Sequence, residues 1–234
     1  MEKGRVYAGL AIMIGLLSIG FLFRAAINDN RQYDRVVSVK GLSEREVSAD
    51  KVFWPIVFNT MSNDIVALNS QLENSKSVIL DFLTSNGVLK EEVSVSMPEI
   101  SDKYAAQYGE NDRTYRYVAK NVITVCSDRV DLIRSVMSKQ DQLLKKGVVV
   151  SPNDWNNKIE FKFEGLNDIK PQMIEEATRN ARNVAEKFAQ DSESRLGKIK
   201  TAHQGVFSIE DRDRNTPYIM VVRVVTSVTY YLEQ

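Results

Sequence analysis

The chain has little of what metal sites and redox centres are made from. Its 234 residues include one cysteine, Cys126, and one histidine, His203. One cysteine excludes an intramolecular disulfide and a CxxC pair, so cysteine usage does not identify a compartment. One imidazole excludes a multi-histidine metal site within a single chain. An excess of one charge is missing too, since Lys plus Arg and Asp plus Glu both number 31. There is then no global pull toward a phosphate backbone, and no nucleic-acid partner is expected. No glycine-rich phosphate loop and no paired-histidine zinc motif occurs. These absences leave no catalytic, cofactor-binding or metal-binding residue to nominate, and neither an enzyme activity nor a cofactor is expected. Hydrophobic residues at 43% against 26% charged place the chain among ordinary globular proteins rather than disordered ones.

Long apolar runs are scarce, and the single one stands at the start. After MEKGR, residues 6–23 (VYAGLAIMIGLLSIGFLF) run without a charge. As a helix this spans roughly 27 Å, close to the hydrocarbon thickness of a bilayer. Lys3 and Arg5 precede it and Arg24 follows it. The reading is an uncleaved signal anchor over 1–24 that inserts residues 6–23 in the lipid bilayer. The basic tail stays cytoplasmic and the rest lies outside. A cleaved secretion signal is the alternative, with a weak small-residue site at Ser18 and Gly20. No cysteine ends the run, which excludes a lipoprotein anchor. Residues 25–35 read as a polar linker, and 36–234 as the soluble domain.

That domain alternates strand and helix patterns. Strands are expected at 34–41 and at 51–60, where Val52, Trp54, Ile56, Phe58 and Thr60 share a face. Pro55 lacks an N–H and marks an edge or a bulge. Ile65, Leu68, Leu72, Ile79 and Phe82 recur at helical spacing, with Ser62 or Asn63 as cap and Gly87 as exit. EEVSVSMPEI and RTYRYVAKNVITVC read as strands around a tyrosine-rich stretch, and residues 127–147 as one helix ending at Gly147. GVVV and NKIEFKFEG are strand pieces. Residues 166–197 contain the longest helix, with Pro171 in its first turn. KIKTAHQGVFSIE and 217–234 close the chain as strands, the last aligning Tyr218, Met220, Val222, Val224, Thr226, Val228 and Tyr230. The expected class is α+β, an antiparallel or mixed sheet carrying about three helices, preceded by the membrane helix. Two loose β-α-β-β copies, at about 51–126 and 147–232, flank the middle helix.

In the longest helix alanine returns at 177, 181, 185 and 189. Ile174, Ala177, Ala181, Val184, Ala185 and Phe188 make one stripe, expected to press against the sheet. This helix, ending in RLGKI at 195–199, joins three other stretches. They are VVSVKGLSEREVSADK at 36–51, LTSNGVLKEEVSV at 83–95 and YRYVAKNVITV at 115–125. In order and spacing the four resemble the SIMPL-domain family. A strand and glycine precede an Ala-Asp pair, here Ala49 and Asp50. A helix exit corresponds to Leu83, Gly87 and Val88. The stepped alanines and a Leu-Gly pair correspond to Ala177, Ala181, Ala185, Leu196 and Gly197. Lys40 and a polar insert at 101–113 depart from the pattern. The resemblance implies an exported or envelope-bound bacterial protein without an agreed enzymatic activity, which with the single anchor at 6–23 gives a single-pass membrane protein with a periplasmic soluble domain. It also implies envelope or oxidative-stress physiology and a possible homo-oligomer; the partner protein is not indicated.

Four features invite sharper readings. Cys126 ends an apolar strand and is expected to be a buried, inert thiol. His203, in a strand, is expected to have a satisfied structural role. Asp211, Asp213 and Asn215 are spaced like the opening of a calcium loop, but Thr216 and Val222 stand where glycine and glutamate are needed, so a hairpin turn is expected. Tyr104, Tyr108, Tyr115 and Tyr117, interleaved with Lys103, Arg113 and Arg116, suit a subunit contact or a ligand platform. Three functions follow: a noncatalytic envelope protein acting through its surfaces, a ligand-binding envelope module using 103–117, and a hydrolase needing two converging carboxylates.

Overall fold

A computed structural model describes residues 13, 15–20, 35–105, 114–151 and 157–233. The fold is α+β, with two antiparallel sheets and about five helices. The strands are β1 (Val36–Ser48), β2 (Lys51–Ser62), β3 (Val93–Val95), β4 (Glu99–Asp102), β5 (Tyr117–Ser127), β6 (Glu160–Lys162), β7 (Arg195–Gln204), β8 (Ser208–Asp211) and β9 (Ile219–Glu233). The helices are α1 (Ile65–Ser85), α2 (Val130–Met137), α3 (Asp141–Lys145) and α4 (Leu166–Asp191), with a 3-10 turn at Lys90–Glu92. The span expected at 6–23 falls largely outside the described residues. Within it, residues 13 and 15–20 are helical, and Met13, Leu16, Leu17 and Ile19 are exposed. Among the described residues no helix is long and apolar enough to cross a membrane.

The chain divides into two compact units. One comprises Glu46–Asn167 and Ile209–Val221. Its sheet has the order β3-β5-β2-β6, with β4 also paired to β5. The period-2 pattern of β2 buries Val52, Trp54, Ile56 and Phe58 as expected, against Ile123 and Val125 of β5. Leu68, Leu72, Ile79, Phe82 and Leu83 of α1 cover this face, joined by Ile133 and Val136 of α2 and Leu143 of α3. Each such large side chain, once buried, contributes about 1.5–3 kcal/mol. Pro55 sits where it does no harm to the ladder. On that side β6 reaches only Phe53, and the next pairing is the bridge of Phe58 with Val150.

Several expectations in this unit are corrected. The cap of α1 is Asp64, whose carboxylate accepts from the N–H of Val66 at 2.7 Å and of Ala67 at 3.4 Å. Ser62 instead supports Asp64, and Asn63 holds the backbone of Thr114 and Arg116. Ile65 lies exposed on the first turn. The helix expected over 127–147 is two helices. The Ser138 hydroxyl donates to Ser135 O at 2.7 Å, and the bonds that follow are the tighter i→i+3 type. GVVV contributes a single bridge rather than a strand.

The other unit comprises Met1–Arg45, Asp168–Ser208 and Val222–Gln234. The second sheet has the order β1-β9-β7, with β8 on β9. Met220, Val222, Val224, Thr226, Val228 and Tyr230 of β9 are buried, as expected from their alternation. Met173, Ala177, Ala181, Ala185 and Ala189 form the buried line of α4. Ala181 and Ala185 pack with Val39, Val228 and Tyr230. The reason for alanine is the neighbour at Gly41. A methyl there would stand 1.9 Å from Ala177 O and 2.4 Å from Ala181 N, so backbone meets backbone. The stripe is therefore narrower than expected: Val184 and Phe188 are exposed and Ile174 is only half-buried. Pro171 is not in the first turn but at the sixth residue of α4, because the helix begins at Leu166.

Candidate functional site

A wide concavity lies in the unit built on β2 and β5. A cleft of about 800 Å³ opens between the end of β2, one face of α1 and the segment Gly147–Ser151. Gln71, Asn74 and Ser75 stand three and four residues apart, so α1 presents them together. They are free to line the cleft because Leu68, Leu72 and Ile79 turn the helix's other face to the core. Opposite them, the Asn59 amide donates to Ser151 Oγ at 3.0 Å. Buried Phe58 and Val148 supply apolar surface, and Tyr115 is 46% exposed at the cleft's edge. None of the twelve described lining residues is charged. Thr60 Oγ1, also in the lining, is buried without a hydrogen-bond partner. Such an orphan costs about 1–3 kcal/mol.

Tyr115 is the one described member of the tyrosine-rich stretch that this cleft takes. Arg116 makes a fork on Asp102, with Nε 3.2 Å from both oxygens and a terminal nitrogen 2.9 Å from Oδ2. Its guanidinium lies 4.8 Å from the ring centre of Tyr117 and 5.8 Å from that of Tyr104. The two rings and the cation thus engage one another. The hydrogen bond from Arg116, followed by that from Tyr104 N–H, holds the Asp102 carboxyl below its usual range against desolvation. Tyr108 and Arg113 lie outside the described residues.

The Ala-Asp pair works on the scaffold. Ala49 N–H donates to Tyr218 O and Asp50 N–H to Lys162 O, both at 2.9 Å. The Asp50 carboxylate accepts from Glu164 N–H and Gly165 N–H, each at 2.8 Å, immediately before α4 begins. One aspartate thereby fixes the β1–β2 turn to the β6–α4 connection. At the exit of α1, Gly87 has φ of 88° and Val88 N–H closes on Leu83 O at 3.0 Å, the left-handed cap its glycine permits. Arg129 donates to Gly87 O at 3.1 Å and pairs with Glu92. Glu92 also accepts from Ser127 Oγ at 2.6 Å and from Leu89 N–H at 2.8 Å. Burial is the largest influence on Glu92 and pushes its carboxyl up. The hydrogen bonds from Arg129, Ser127 and Leu89 together outweigh it and hold the carboxyl at about 2.

The remaining expectations divide. Cys126 is exposed, not buried. On β5 the buried positions are 119, 121, 123, 125 and 127, so 126 falls on the opposite face. His203 lies in a strand as expected, in β7 opposite Ser227, and is exposed. Residues 212–216 form the turn between β8 and β9. Asp213 accepts from Asn215 N–H and Thr216 N–H at 2.8 Å and pairs with Arg212. The Thr216 hydroxyl is the largest of the influences that hold its carboxyl at about 2. Among the described residues no three of His, Cys, Asp or Glu are placed to hold a metal ion. Sequence reasoning missed the cleft residues Asn59, Gln71, Asn74 and Ser151. The only sign available was the polar face of α1 opposite its apolar stripe.

Two sheets, a long alanine-faced helix and motif residues engaged in turns, caps and a helix–strand contact define an α+β protein whose described motif residues hold the fold. A family model described as SIMPL, protein of unknown function (DUF541), matches residues 37–228, and the chain belongs to the SIMPL family. No curated protein matches the chain.

Proposed function

We propose that this protein is a single-pass, membrane-tethered envelope protein that acts through self-association or partner contacts without bond-making chemistry. The observation that carries the reading is what the motif residues do. Ala49, Asp50, Gly87, Ala177, Ala181 and Ala185 each hold a turn, a cap or a helix–strand contact. The signature thus protects a shape, which leaves the surfaces to meet partners. The charge-free run at 6–23, flanked by Lys3, Arg5 and Arg24, supports the tether. Exposed Val184 and Phe188, one turn apart on α4, offer apolar contact area. The setting that follows from the family resemblance is the periplasmic face of a bacterial envelope and its stress physiology.

The test is fractionation of the full chain followed by light scattering of the detergent-extracted material. The chain is expected in the membrane pellet after an alkaline wash, with a polypeptide mass, after bound detergent is subtracted, above the 26.6 kDa of one copy. Recovery in the cytosolic fraction would overturn the tether. A monomeric mass, with no co-purifying protein, would overturn action through assembly.

A further inference from the structure

We propose that the cleft between α1, the end of β2 and Gly147–Ser151 is a binding site for a neutral saccharide. This goes beyond the surface-contact reading above and does not depend on it. The cleft's volume of about 800 Å³ falls within the roughly 300–1,000 Å³ of small-molecule sites. The lining selects the ligand class by elimination. With no charged side chain among the described lining residues, a phosphate, carboxylate or ammonium guest would be desolvated with no counter-charge from them. A wholly apolar guest would cover the amides of Gln71 and Asn74 and strip them of water, a loss rather than a gain. What fits is an uncharged molecule dense in groups that both donate and accept.

A sugar meets that demand. Each carboxamide presents a donor and an acceptor side by side, and each hydroxyl can do either. Vicinal hydroxyls of a pyranose offer the same pair of roles at matching spacing. Gln71, Asn74 and Ser75 supply one wall, with Asn59 and Ser151 the other. Tyr115 supplies a flat face for the C–H side of a sugar ring, with Phe58 and Val148 beneath. Thr60 Oγ1 is buried and unbonded in the same lining, a polar atom that a guest hydroxyl would satisfy.

The experiment uses the full 234-residue chain in a detergent that lacks a sugar headgroup. Maltotriose and chitotriose are titrated by calorimetry and saturation-transfer NMR. Adenosine and a neutral tripeptide amide serve as uncharged non-sugar probes. At least one trisaccharide is expected to bind saturably. Tyr115→Ala and Asn74→Ala, at exposed positions and checked for unchanged unfolding midpoints, should each weaken binding about tenfold. Tyr104→Ala, outside the cleft, should leave it unchanged. The proposal is overturned if neither trisaccharide saturates at millimolar concentration, if the two cleft variants bind as well as the parent, or if adenosine or the peptide binds more tightly than both sugars.

Discussion

At the scale of single residues, the side chains that matter are those whose charge is locked to the backbone. Asp50 accepts two main-chain N–H bonds at 2.8 Å, and Asp50→Asn puts an amide N–H against one of them. A loss of about 1–3 kcal/mol in unfolding free energy is expected, read by urea denaturation. Glu92 gives the pH dependence. Its folded carboxyl titrates at about 2, below the usual 4.5. A depressed carboxyl stabilises the fold above the unfolded value, so this contribution is full above about pH 4.5 and fades as pH falls toward 2. Glu92→Gln should flatten that acid limb, and an unchanged slope would dissociate Glu92 from acid stability. Cys126 was misplaced by its apolar neighbours, yet the alternation of β5 already assigns it outward. Ellman's reagent should therefore titrate one thiol in the native chain; no reaction before denaturation would contradict the exposure.

At the scale of elements, α4 and β1 explain why one strand was legible only in part. The hydrophobic pattern stops at Gly41, so the expected strand stops there too. The strand itself runs to Ser48, with Gly41 and Ser43 buried in alternation. Small and polar residues occupy the inward face because a helix backbone lies against it. Ser43 Oγ reaches Glu176 at 3.0 Å, and Gly41 meets Ala177 and Ala181. Gly41→Ala must part the two elements and is expected to cost about 1–3 kcal/mol, as overpacking does. Phe188→Ser, on the exposed face of α4, should stay within about 0.5 kcal/mol of the parent. Thermal unfolding of both variants checks the contrast, and similar midpoints would refute the close contact. The break between α2 and α3 was illegible for another reason. Val136 and Leu143 are both buried and sit seven apart, so an unbroken helix would align them equally well.

At the scale of the whole molecule, the order of elements was readable and the pairing was not. The two expected strand–helix–strand–strand copies each carry one strand more, β2-α1-β3-β4-β5 and β6-α4-β7-β8-β9, because the stretches expected as single strands at 91–100 and 198–210 are each divided between two. In the sheets, however, the partner of β9 that matches β2 beside β5 is β1. The orders β3-β5-β2 and β7-β9-β1 correspond, while three-residue β6 joins β2 in the other sheet. That is why one sheet was expected and two are found. The sequence by itself determined which residues alternate, which recur every helical turn and where the chain turns, because those periodicities are local geometry. It also determined the family, since the motif stretches are recognised by their order and spacing along the chain. Only the tertiary structure decided which strand lies beside which and which amides share a cleft. Paired strands such as β2 and β5, and cleft residues such as Asn59 and Ser151 or Gln71 and Tyr115, are brought together by packing across long sequence separations, and no local pattern encodes that choice.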